Sequence, residues 1–171
     1  VLLVSILLSL GVLSLAACGG GSKSNGSSNN GASDKGLPDA ELTDLRTEEL
    51  VDWNQGSKPL VINMWASWCA PCRKEMPAFD KVAQDLQDQV KIIGVTDDLN
   101  RDSALKAADK SKVTYPLLYD EEAILLTELD ISGLPATVFV DEKGKIIGKH
   151  LGELTESELR QEIEKRYGIS S

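Results

Sequence analysis

Leu60-Val61-Ile62-Asn63-Met64-Trp65-Ala66-Ser67-Trp68-Cys69-Ala70-Pro71-Cys72-Arg73-Lys74-Glu75-Met76-Pro77 is the stretch on which the fold turns. Its first six residues are an apolar run interrupted only by Asn63, with β-branched members, as in a strand buried on both faces. From Cys72 the period changes. Cys72, Met76, Phe79, Ala83 and Leu86 recur at alternating spacings of four and three, one stripe of a helix. A second apolar run, Lys91-Ile92-Ile93-Gly94-Val95-Thr96, follows. Strand, helix and strand joined by so long a crossover predict a parallel pair.

Outward from that unit, residues 101–111 are helix-prone, residues 117–119 form a short strand and residues 122–129 a short helix. Residues 136–140 and 145–151 flank Asp141-Glu142-Lys143-Gly144, which has the turn chemistry of a hairpin tip. Thr155 and Glu158 make a capping box, Leu154 and Leu159 a hydrophobic staple, and Leu159, Ile163 and Tyr167 the buried face of a last helix. The class is α/β: a mixed central sheet with helices on both faces, one domain over residues 37–171, long enough for one well-buried core. No internal repeat is visible.

The first 36 residues have a different character. Residues 1–17 hold 13 apolar residues and no charge, the length of a secretory signal and short of the ~20 residues a spanning helix needs. Leu15-Ala16-Ala17-Cys18 resembles the lipobox of bacterial lipoproteins, which implies cleavage before Cys18 and a lipid on its sulfur. No Met and no basic segment stand before Val1. Residues 18–36 then read as the lipidated cysteine and a disordered tether, since 14 of the 18 residues after Cys18 are Gly, Ser or Asn. Such a leash has an r.m.s. span of about 25 Å and a maximum of roughly 60 Å. All 27 acidic residues lie from Asp34 onward with 17 of the 18 basic ones, so the folded part carries 17 − 27 = −10. That balance argues against nucleic acid as a partner, because phosphate binding needs a basic surface.

Cys69 and Cys72 pair by spacing, and Cys18 stands apart. Cys69 falls at a surface-facing helix N-terminus, where unpaired N–H groups and the helix dipole stabilise a thiolate. It is the expected attacking sulfur. Cys72 lies one turn on, in register with the buried stripe, and is the expected resolving thiol. Pro71 suits the first helical turn, where no N–H is required. Other uses of the pair fit poorly. Zinc needs four ligands, and the folded part offers two cysteines and His150. Covalent haem needs a His after the second cysteine, where Arg73 stands. A peroxidatic site of the peroxiredoxin kind would have Thr where Ala66 is. Exchange chemistry without cofactor or metal is the strong reading, and a structural disulfide the bland one.

The block Trp65 to Pro77, with Gly133-Leu134-Pro135-Ala136-Thr137 downstream, resembles extracytoplasmic thioredoxin-like proteins of the TlpA/ResA type over about residues 37–171. The resemblance implies a thioredoxin-like fold and a cis peptide bond before Pro135, which faces the dithiol while the Leu134 backbone offers strand-like hydrogen bonds to a substrate chain. It implies an apolar shelf at Trp68, beside Ala70 and Pro71, for substrate contact. It also places at Glu75 a carboxylate that assists proton transfer or raises a cysteine pKa; an exposed, helix-solubilising Glu is the alternative. Asn63 stands where cytoplasmic thioredoxins have a buried, titrating Asp. Asn cannot titrate, so weight shifts to Glu75 or water. Trp65, Met76 and Phe79 read as core, and Pro77 as a helix kink.

The expected function is a membrane-tethered thiol-disulfide oxidoreductase working mainly as a reductase, anchored outside the cytoplasm through Cys18. The resemblance implies clients with labile disulfides, such as apocytochrome c or methionine sulfoxide reductase, and a membrane thiol reductant of the CcdA/DsbD type. A disulfide-forming oxidase using the same pair, and a lipoprotein whose dithiol only switches a binding interface, remain alternatives.

Overall fold

The computed structural model describes residues 36–170. The expectations for the signal segment, the lipobox at Cys18 and the tether up to residue 35 lie outside the described residues. The elements run β1 (Leu42–Asp44), β2 (Leu50–Val51), β3 (Leu60–Trp65), α1 (Ala70–Asp85), β4 (Lys91–Thr96), α2 (Arg101–Ser111), β5 (Leu117–Tyr119), α3 (Ile124–Glu128), β6 (Ala136–Val140), β7 (Ile146–Leu151) and α4 (Glu156–Tyr167).

The strands form one sheet in the order β2-β1-β5-β4-β3-β6-β7. β3, β4 and β5 are parallel, as the crossover predicts, and β6 joins β3 antiparallel. All six residues of β3 are buried, and the period-2 alternation decides which layer each one enters. Val61, Trp65 and Ile92 pack with Met76, Phe79 and Val82 of α1, Ala104 of α2 and Leu159 and Ile163 of α4. Leu60, Ile62, Met64, Ile93 and Val95 face the other way, onto Leu125 of α3 and onto Leu42 and Trp53. Helices therefore cover both faces. The sheet supplies a rigid platform from whose edge the β3–α1 loop projects.

Local chemistry explains most of the boundaries. The capping box of α4 is formed in both directions, and its staple residues Leu154 and Leu159 are buried. Asp141 closes the β6–β7 turn by accepting from the N–H groups of Lys143 and Lys145, with Gly144 at φ 77. The α3 helix is shorter than its sequence suggests. Ala123 sits at φ 53, and Asp120 takes the N–H groups of Ile124 and Leu125, so the helix starts at Ile124. The β1–β2 hairpin is not foreseen by the sequence at all. Gly36, the last tether residue by composition, makes an isolated bridge to Lys145.

Candidate active site

α1 begins where it does because Cys69 ends the loop in an extended conformation and caps the helix with its own sulfur. Its Sγ accepts the Cys72 N–H at 3.2 Å, and its carbonyl takes the Arg73 N–H at 3.2 Å. Pro71 occupies the first turn, where its missing N–H costs nothing. Cys69 and Cys72 are joined as a disulfide with Cα atoms 5.3 Å apart. The pair stands at the carboxyl end of β3, the sheet edge where open α/β folds carry their sites.

The sequence points Cys69 at the surface, yet in the closed ring the residue is only 4% exposed and Cys72 is fully buried. Both belong to the core cluster with Trp65 and Ala66, and Leu134 packs against it. Trp68, immediately before the pair, is 71% exposed. Ala70 and Pro71 are exposed beside it.

The loop before Cys69 is braced from two sides. Asp98, buried at the end of β4, accepts from the Ser67 N–H at 2.7 Å, the Ser67 hydroxyl at 3.0 Å and the Thr96 hydroxyl at 3.1 Å. The Arg73 guanidinium reaches back to the Ser67 carbonyl. Three polar groups on one buried carboxylate hold the loop's backbone in place. Asp98 has no sequence signal of its own, because nothing in Thr96-Asp97-Asp98 says which carboxylate turns inward.

Leu134–Pro135 is a cis peptide bond, as the resemblance implies. Register explains its position. Ala136 pairs with Met64, so Pro135 stands level with Trp65 at the dithiol end of β3. Pro135 is buried and its carbonyl accepts the Gly152 N–H at 2.9 Å; Leu134 is half-buried.

Glu75 is buried, not a solubilising surface residue. One turn past Cys72, it faces Asn63 across the α1–β3 interface. The Asn63 Nδ2 donates to Glu75 Oε1 at 2.7 Å, and the Leu154 N–H donates to Oε2 at 2.9 Å. The Tyr115 hydroxyl donates to Asn63 Oδ1 at 3.2 Å. Burial pushes the Glu75 carboxyl up to about 7; the Leu154 N–H and Asn63 pull it down, and the charge of Glu153 adds to the rise. A carboxyl balanced near neutrality can take or give a proton at little cost. Asn63, which cannot itself titrate, is thus hydrogen-bonded to a carboxyl that can. Tyr115 is missed by the sequence, since a lone Tyr before a short strand carries no signal. His150 lies on β7, paired with Thr137 of β6.

The AhpC/TSA family profile matches residues 31–149. Thioredoxin-like protein YneN of Bacillus subtilis is 34% identical over 110 residues, 63% of this chain and 64% of that protein. Thiol-disulfide oxidoreductase ResA of Geobacillus thermodenitrificans is 30% identical over 120 residues, 70% of this chain and 68% of that protein. The chain thus spans about two thirds of the length of these curated relatives. StoA from Bacillus subtilis, a crystal structure, superposes with a TM-score of 0.64 at 25% identity over 74% of this chain and 98% of that one. Matching sequence, fold and a Cys69–Cys72 disulfide at the start of α1 agree: the chain belongs to the AhpC/TSA family, among its thioredoxin-fold thiol-disulfide oxidoreductases.

Proposed function

We propose that the chain is a reductase of protein disulfides, working outside the cytoplasm and held at the membrane by a lipid on Cys18. The observation that carries the reading is the Cys69–Cys72 disulfide at a helix N-terminus, with a buried, near-neutral Glu75 one turn further in. In the reduced protein the Cys69 thiolate attacks one sulfur of a client disulfide, and the client's other sulfur leaves as a thiolate. Glu75 takes the proton of Cys72. The Cys72 thiolate then attacks Cys69 Sγ, expels the client's second thiolate and closes the ring. Two electrons have passed to the client. A membrane thiol reductant of the CcdA/DsbD type returns the pair to the dithiol.

Trp68, Ala70 and Pro71 form the face that a client chain meets, with the Leu134 backbone beside the cis Pro135 offering it strand-like hydrogen bonds. Residues 1–17 serve as the signal and residues 18–36 as the lipidated tether of the domain at residues 37–171. The leash concentrates the domain near membrane-bound partners. Clients with labile disulfides, among them apocytochrome c and methionine sulfoxide reductase, fit this chemistry. Pro71 between the cysteines supports the reducing direction by its likeness to thioredoxin sites.

The test is catalytic reduction of insulin by the full chain, together with the reduction potential of the pair. Turnover that Cys69→Ser abolishes, with a potential near about −270 mV or lower, supports the reading. A potential near about −120 mV overturns the reductase in favour of an oxidase. Turnover that survives Cys69→Ser, or its absence from the wild type, overturns both. Cys72→Ser should collect client proteins as mixed disulfides through Cys69.

A further inference from the structure

Tyr115 lies in the segment leading into β5, and three features of the fold converge on its hydroxyl. Asp80 of α1 anchors the segment by accepting from the Thr114 N–H at 2.6 Å, the Thr114 hydroxyl at 2.9 Å and the Tyr115 N–H at 3.1 Å. Gly94, the residue paired with Asn63 across β3 and β4, clears the path of the ring: a Cβ there would stand 3.0 Å from Tyr115 Cε2. The hydroxyl then reaches Asn63 Oδ1 at 3.2 Å, and the Asn63 Nδ2 reaches Glu75 Oε1 at 2.7 Å. Tyr115, Asn63 and Glu75 are all buried.

An asparagine amide can turn over, and its orientation is set by its partners. With Oδ1 occupied by the Tyr115 hydroxyl, the NH2 group faces the carboxylate and stabilises its charge. Turned over, the amide would set its carbonyl against that charge and leave the tyrosine proton without this acceptor. The NH2 group could then still donate to the phenol oxygen, but the buried phenolic proton would lose its acceptor. That loss is costly, so the tyrosine biases the amide toward the arrangement that favours ionised Glu75.

We propose that Tyr115 is a positioning residue for the proton chemistry of Glu75, its hydroxyl locking the Asn63 amide so that the buried carboxyl ionises more readily than it otherwise would. The role rests on the reading of Glu75 as proton acceptor for Cys72. The other groups facing the carboxyl leave this role open to Tyr115. Cys72 lies one turn back on α1, the β7–α4 loop contributes the Leu154 N–H and the opposing charge of Glu153, and the Lys74 ammonium is held by Glu153 at 2.6 Å. The phenol itself does not ionise in this range, because burial with Glu75 and Asp80 nearby pushes it well above its ordinary value.

The experiment is a 13C-carboxyl NMR titration of Glu75 in the full-length wild type and in Tyr115→Phe, the resonance assigned with Glu75→Gln. The pH profile of disulfide exchange is measured alongside. Tyr115→Phe should move the Glu75 midpoint upward by about 0.5–1 unit, a roughly three- to tenfold weaker acid, and carry the exchange profile in the same direction. An unchanged or lowered midpoint overturns the role, while leaving the dithiol reading to its own test with Cys69→Ser. A raised midpoint with an unmoved profile keeps Tyr115 as the positioner of Glu75 and removes Glu75 from the rate. Should Tyr115→Phe not fold, the wild-type Asn63 side-chain resonances decide. An NH2 proton bonded to Glu75 above its midpoint supports the role, and a freely exchanging one overturns it.

Discussion

Glu75 on α1 and Leu154, 79 residues further along, are joined by a hydrogen bond of 2.9 Å from the Leu154 N–H to the Glu75 carboxylate. That contact closes the β7–α4 loop over the carboxyl and is part of its burial. The consequence is a pH dependence of stability. The folded carboxyl titrates near about 7, against 4.5 for an unperturbed glutamate. Between those values the native protein keeps a proton that the unfolded chain has already lost. Stability therefore falls as pH rises through this window and levels off above it, by about 3 kcal/mol for this group. Asp97 and Asp120, also raised by burial, act in the same direction. Urea unfolding at pH 5, 6, 7 and 8 should show the decline, and Glu75→Gln should flatten it. An equal slope in the variant would refute the assignment.

Asp98→Ala should loosen the loop that presents Cys69. It removes the acceptor for the Ser67 N–H and the Ser67 and Thr96 hydroxyls, all part-buried or buried. A loss of about 2–3 kcal/mol in urea unfolding is expected, with slower disulfide exchange. Asp98→Asn keeps one carbonyl oxygen and should lose less. Equal losses in the two variants would argue against hydrogen bonding as the cause.

Gly94→Ala tests the close approach of β4 to the layer above it. A Cβ at this position would stand 2.6 Å from Leu117 Cδ2, 3.0 Å from Tyr115 Cε2 and 3.3 Å from Trp65 Nε1. Overpacking of this kind costs about 1–3 kcal/mol, measurable as a lower denaturation midpoint. A variant as stable as the wild type would mean that Leu117 and Tyr115 shift freely.

Trp68→Ala separates docking from chemistry. Because Trp68 is 71% exposed, stability should change by no more than about 0.5 kcal/mol. Exchange with a protein disulfide should slow severalfold, while exchange with a small disulfide such as hydroxyethyl disulfide stays close to wild type. Equal slowing with both substrates would place Trp68 in support of the sulfurs and not of the client.

Where structure depends on neighbours in the chain, the sequence was decisive. The apolar run of β3, the four-and-three stripe of α1, the sulfur at its first turn and the capping box of α4 are all set by residues within a few positions of one another, so periodicity and cap chemistry determine them. The cis bond before Pro135 is implied by the family resemblance and not by local chemistry. The β1–β2 hairpin escaped because strands of three and two residues show no alternation, and β1 is tied into the sheet by distant partners, Thr43 to Tyr119 and Asp44 to Leu118. For Glu75 the sequence leaves two readings open, a carboxylate beside the dithiol and an exposed solubilising charge, for a related reason. Its place on the helix is local, but whether it is an exposed charge or a buried acid depends on a loop 79 residues away and on a strand residue, Asn63, across the interface. Desolvation is a property of everything packed around a group. The tertiary structure alone brought Tyr115, Asn63, Glu75 and Leu154 together, and with them decided that the carboxyl is buried and hydrogen-bonded.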